Sequence, residues 1–154
     1  MEEKRMISIE MAGRSDIQVV ADFQVMMARE TENLDLDPGT VMQGVTAVFD
    51  DPGKGFYLVA RADEGIVACL MITREWSDWR NRTVWWIQSL YVVPGYRRRG
   101  IFRSMYAWLI DRIREDDRVG GIRLYVDRTN VKAQRVYEAI GMDGEHYRFY
   151  EDMK

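Results

Sequence analysis

Apolar and polar residues alternate over Met6–Met11, a two-residue period that predicts a first strand. From about Ser15 to Glu30 the period lengthens, and Ile17, Val20, Ala21 and Met27 fall on one face of a helix. The polar stretch Thr31–Asp37 separates it from a second helix. There Pro38, just after Asp37, suits the first helical position behind an N-cap, Val41, Val45 and Val48 supply the apolar stripe, and Phe49 covers the far end. Pro52-Gly53-Lys54-Gly55 closes this helical region. Three β-rich runs follow, Phe56–Ala60, Ile66–Thr73 and Thr83–Val92. Asp63-Glu64-Gly65 is a compact hairpin signal between the first two, and Glu75–Arg82 reads as the connection between the last two, so the runs predict an antiparallel meander.

Beyond Val92 the pattern breaks at Pro94-Gly95, crosses Arg97-Arg98-Arg99-Gly100 and returns as a helix, with Ile101, Met105, Trp108, Leu109 and Ile113 near a 3.6-residue period. Arg112, Arg114, Glu115 and Asp116 interrupt its surface, which makes it a core-facing helix and not a membrane span. Gly120-Gly121 resets the chain for a strand over Gly121–Val126. A polar turn, Asp127–Asn130, leads into a helix buried through Val136 and Ile140 and capped by Gly141. Tyr147–Tyr150 is expected to add an antiparallel edge strand. The pieces predict one α/β domain over residues 1–154, three-layered, with a mixed, mostly antiparallel sheet flanked by helices. Strand, polar turn and helix recur twice, placing both turns at carboxyl ends of strands, where ligands bind.

The first of these turns carries the chemistry. Amides at the start of a helix point outward without intrahelical partners, and Gly100 lets the chain approach an anion with no Cβ in the way. Neighbouring arginines add charged donors; read singly, each is a solvated surface charge. The formal charge of −3 makes this a local anion grip and not a nucleic-acid surface. Cys69 is the sole cysteine and sits in an apolar run, which favours a buried thiol over a nucleophile or ligand. His146 is the sole histidine, which leaves no Ser-His-Asp arrangement and argues against a histidine-rich zinc site. The start of the chain has no secretory-type apolar segment and no run is long enough to span a membrane, so a soluble cytoplasmic protein is expected.

Arg97-Arg98-Arg99-Gly100-Ile101-Phe102 resembles the Arg/Gln-x-x-Gly-x-Gly/Ala turn with which the GNAT N-acetyltransferase family grips the pyrophosphate of acetyl-coenzyme A, with Phe102 in place of the usual final small residue. Asn130-x-x-Ala133-x-x-x-Tyr137-x-x-x-Gly141-Met142 is similar to that family's later signature. The resemblance implies acetyl transfer from acetyl-CoA to a primary amine. It gives Leu90, Tyr91 and Val92 backbone contacts to the pantetheine arm, and a strand N–H there the polarising of the acetyl carbonyl. Arg97, Arg98, Arg99, Gly100, Ile101, Phe102 and Arg103 surround the pyrophosphate, and Asn130 contacts the cofactor. Tyr137 stands beside the sulfur as general acid; its plain alternative is core packing.

Family members often place a glutamate base on the central strand, where this chain has Trp86-Ile87-Gln88-Ser89-Leu90. Gln88 cannot hold a proton as a carboxylate does, which leaves Glu75, a substrate carboxylate or a water chain as base; Glu75 reads equally as a surface acid. Asn33, Asp35, Asp37, Glu75, Trp76, Asp78, Trp79 and Trp86 suggest an acidic, aromatic pocket for an ammonium or a small, polyamine-like amine. Trp79, Phe149 and Tyr150 are candidates for an apolar homodimer contact. The competing function is a noncatalytic coenzyme A-binding regulatory module, motivated by Phe102 and the missing central carboxylate.

Overall fold

The computed structural model describes residues 6–154. Its strands are β1 (Ser8–Met11), β2 (Phe56–Ala62), β3 (Gly65–Ser77), β4 (Arg82–Val92) and β5 (Val119–Leu124), and its helices α1 (Ile17–Glu32), α2 (Pro38–Asp50), α3 (Ile101–Glu115) and α4 (Val131–Ala139). By internal contacts the chain falls into two compact units, Met1–Arg123 and Leu124–Lys154. No helix of the described residues is long and apolar enough to cross a membrane.

The strands form one sheet in the order β1-β2-β3-β4-β5, antiparallel through β4. The α3 crossover brings β5 in beside β4, giving the mixed, mostly antiparallel sheet of the three-layer fold. Because side chains alternate across a sheet, β2 sends Tyr57 and Val59 to one face, where they meet Cys69, Tyr91 and the apolar stripes of α1 and α2. Phe23 tilts against Tyr91 at 5.1 Å between centroids, and Phe49 stacks on Tyr57 at 5.9 Å. On α3, Ile101, Phe102, Met105 and Leu109 are buried, and the helix contacts β1 and β2.

Local chemistry sets the element ends. Asn33 adopts a left-handed conformation (φ 51°) and its N–H closes the end of α1 on the Ala28 and Arg29 carbonyls. As expected, Asp37 caps α2: its Oδ2 accepts from the Thr40 amide at 2.9 Å and the Thr40 hydroxyl at 2.6 Å, with Pro38 in the first turn.

Four sequence expectations are corrected. Glu75–Ser77 is not a loop but the end of β3: Glu75 faces Val84 and Trp76 faces Thr83, because Trp and Thr suit a strand and the turn needs only Asp78–Asn81. Gly120-Gly121 lies inside β5 and does not precede it. A Cβ on Gly120 would stand 3.3 Å from the Cβ of Arg82, so the glycine serves close strand approach. Tyr147–Tyr150 forms no strand; Phe149 stacks on Tyr125 instead, at 5.0 Å and 13° between planes. On α4, Val136 is exposed, while Ala133, Tyr137 and Ile140 at i, i+4 and i+7 form the half-buried stripe. The sequence also hides a bulge in β4. Ser89 and Leu90 together oppose Leu70, and Ser89 takes a left-handed φ of 53°.

Candidate functional site

The turn between β4 and α3 is held together by the chain's own side chains. After Val92 the chain makes a tight turn at Pro94–Tyr96, and Arg97 then folds back. Its Nε donates to the Val92 carbonyl at 2.9 Å, and Nη1 and Nη2 donate to the two carboxylate oxygens of Glu30 at 2.7 and 2.8 Å. The guanidinium also lies 5.6 Å from the centroid of the Tyr91 ring. This bidentate pair fastens the turn to the last part of α1. The Arg97 hydrogen bond holds the Glu30 carboxyl below its ordinary range, so the pair is intact at neutral pH and is lost only in acid.

Arg98 (φ 63°) and Gly100 (φ 74°) both take left-handed backbone, and Gly100 is the N-cap of α3. Intrahelical bonding begins with the Ser104 amide to the Gly100 carbonyl at 3.0 Å, so the donor-rich end of a fifteen-residue helix faces the turn. A Cβ built on Gly100 meets nothing within 4 Å. Phe102 turns into the protein, 9% exposed, with its ring centroid 6.1 Å from that of Tyr106, so its bulk does not fill the turn. Ile101 is buried likewise, whereas Arg98, Arg99 and Arg103 are exposed. Arg99 rests over the Tyr96 ring at 5.2 Å, and the Tyr96 hydroxyl donates to the Glu64 carboxylate. A helix terminus, an open glycine and exposed arginines fit a pyrophosphate such as that of acetyl-CoA.

Along β4, Leu90 is half-buried at the bulge, Tyr91 is buried with its ring in the core, and the Val92 carbonyl accepts from Arg97. Gln88, at the position discussed for a base, donates its Nε2 to the Thr73 hydroxyl at 2.6 Å. Glu75 lies two residues further along β3 and accepts from Arg123 Nη1 at 2.6 Å, with both side chains partly exposed.

The other acceptor candidates are engaged locally. Asn33 ends α1, Asp35 accepts from Arg29 at 3.0 Å, and Asp37 caps α2. Trp86 is half-buried, while Trp76 (63%) and Trp79 (90%) are largely exposed. In the C-terminal unit Asn130 is the N-cap of α4, its Oδ1 accepting from the Ala133 amide at 3.1 Å. Burial raises the Tyr137 phenol above its ordinary 10.0, which keeps it protonated at neutral pH. Cys69 is fully buried and its thiol is pushed up to about 12, in keeping with an inert core position. No group of three or more His, Cys, Asp or Glu among the described residues is placed to hold a metal ion.

Glu30 and Arg123, which pair with the candidate residues Arg97 and Glu75, were not legible in the sequence. Both act through partners distant in the chain, 67 and 48 residues away. Each looks locally like an ordinary surface charge, and only the pairing gives it meaning.

A mixed, mostly antiparallel sheet flanked by helices, with an arginine-rich turn leading from β4 into α3, is the three-layer fold of the GNAT type. The acetyltransferase (GNAT) family pattern matches residues 24–142, and this chain belongs to that family. A possible acetyltransferase from Clostridium difficile 630 is 38% identical over 97% of this chain and 98% of its own, with a TM-score of 0.89. Two more distant structures share the fold. One is a predicted acetyltransferase with acetyl-CoA from Clostridium acetobutylicum, 16% identical over 95% of this chain and 96% of its own, TM-score 0.74. The other is an aminoglycoside acetyltransferase from an uncultured soil metagenomic sample, in complex with sisomicin, 16% identical over 96% and 97%, TM-score 0.74. No curated protein matches the chain.

Proposed function

We propose that the protein is an acetyl-CoA-dependent N-acetyltransferase acting on the primary amine of a small molecule. The observation that carries this reading is the β4–α3 turn: left-handed Arg98 and Gly100, open space at Gly100, Phe102 turned inward and Arg97 pinned to Glu30. Arg98, Arg99 and Arg103 and the amides at the start of α3 hold the pyrophosphate; Leu90 and Tyr91 lie along the pantetheine arm. When bound, acetyl-CoA supplies an activated acetyl group: the acceptor nitrogen forms a C–N bond as the C–S bond breaks, the amine giving up a proton and the thiolate gaining one. Tyr137 holds the proton for the thiolate, and its raised pKa keeps that proton in place across the neutral range. Glu75 takes the proton from the amine, directly or through water, and Arg123 orients its carboxylate. Asn130, already the cap of α4, fixes the start of the helix that carries Tyr137.

The resemblance to the Clostridium difficile protein over almost the full length of both chains supports the reaction class. Calorimetry with acetyl-CoA, followed by thiol release across an amine panel, tests it. Saturable binding with amine-dependent release is expected, and the absence of both rejects it. Tight binding with no transfer to any amine, amino acid or peptide favours the noncatalytic coenzyme A-binding module.

A further inference from the structure

Beside the Glu75–Arg123 pair lies a cleft of about 160 Å³, lined by Arg80, Val84, Gly120, Gly121, Ile122 and Arg123. It touches the pair at two points, because Arg123 is a member of both and Val84 is the register partner of Glu75. Its walls carry cations. Arg80 leans over β5, where the missing side chain of Gly120 makes room: a Cβ there would stand 3.5 Å from the Arg80 Cδ. Among the described residues the Arg80 guanidinium makes one long contact, Nη1 to the Ser77 hydroxyl at 3.4 Å, and no ion pair with a carboxylate, while Arg80 lines the cleft. A planar five-donor guanidinium in such a place matches a carboxylate or phosphate.

Resting on the acetyltransferase reading above, we propose that this cleft binds an anionic group of the same acceptor whose amine is acetylated. The acceptor is therefore a zwitterion, an amino acid or aminoalkyl phosphate, and not a polycation. Glu75 receives the ammonium end before deprotonation, while Arg80, with Arg123 beside it, receives the anionic end. The aspartates expected to attract a polyamine are engaged elsewhere, Asp35 with Arg29 and Asp37 with Thr40. A second ammonium in this cleft would meet like charge from Arg80 and Arg123 and be repelled.

The test compares four amines of matched length: an alkylamine, a diamine, an ω-amino carboxylic acid and an aminoalkyl phosphate. For the wild-type protein, kcat/KM is expected to be at least roughly tenfold higher for one of the two anionic amines than for the alkylamine, and lowest for the diamine; whichever anionic arm wins identifies the anion. Arg80→Ala is expected to reduce that preference about tenfold, mainly through KM, and Arg80→Lys to restore part of it. Preference for the diamine, or a preference for the anionic amine that survives Arg80→Ala, overturns the proposal. Calorimetric titration of the coenzyme A complex with the same anionic amines gives a readout separate from turnover. Binding that Arg80→Ala abolishes supports the cleft even where acetyl transfer fails and the enzyme reading falls with it. Binding that is absent, or indifferent to Arg80, overturns the cleft.

Discussion

Tyr137 occupies the inward stripe of α4 between Ala133 and Ile140, and burial holds its phenol above 10.0. Tyr137→Phe keeps the ring and removes the proton. Single-turnover acetyl transfer should slow at least roughly tenfold at saturating acceptor with acetyl-CoA affinity preserved, and a near-wild-type rate would end the general-acid assignment. The pH profile follows from the same direction of shift. A group that must be protonated, with its pKa raised, stays competent as pH rises; kcat/KM should climb as the acceptor amine deprotonates and show no alkaline decline below about pH 10. Cys69 makes the converse case. Fully buried and with its thiol pushed up to about 12, it should resist a thiol reagent in the native protein and react stoichiometrically in denaturant. Rapid native labelling would contradict its core assignment.

At the scale of elements, two glycines separate folding from binding. A Cβ on Gly55, with φ 145°, would stand 2.1 Å from the Ile72 carbonyl oxygen, so Gly55→Ala should destabilise the β2–β3 ladder by about 2–4 kcal/mol in urea denaturation. Gly100 differs, because its absent side chain faces open space. Gly100→Val should raise the acetyl-CoA Kd well above the effect of Arg98→Ala while costing stability only about 1–2 kcal/mol for the left-handed backbone. Unchanged affinity in both folded variants would rule out this grip. Glu30→Gln tests the fastening of the turn to α1. Exposed pairs contribute about 0.2–1 kcal/mol, so a roughly two- to fivefold loss of acetyl-CoA affinity is expected by calorimetry.

Much of this was legible in the chain. Period changes located α1, α2 and α3 and the meander, and Asp37-Pro38 and Gly100 fixed two helix starts, since those signals depend on residues close in sequence. What escaped depends on partners across the sheet: the extension of β3 to Ser77, the β4 bulge at Ser89 and Leu90, and the Glu30–Arg97 and Glu75–Arg123 pairs. Tyr147–Tyr150 failed for the opposite reason. Strand propensity was present there, but a strand needs a ladder, and aromatic stacking on Tyr125 took its place.

For the whole molecule, the fold and the turn point the same way, toward acetyl-CoA. Trp79 (90% exposed), Phe149 (59%) and Tyr150 (84%) are large exposed aromatic residues on the described chain, and we propose that they support a homodimer, which light scattering at micromolar concentration tests. A fully active monomer would remove dimerisation from the mechanism. The central claim is acetyl transfer through the β4–α3 grip, and the most direct measurement of it is acceptor-dependent release of coenzyme A thiol by the wild-type protein beside Gly100→Val. The expected result is amine-dependent turnover in the wild type, with acetyl-CoA KM raised at least roughly tenfold in the variant. Turnover that needs no amine, or that proceeds with the same acetyl-CoA KM in both proteins, would contradict it.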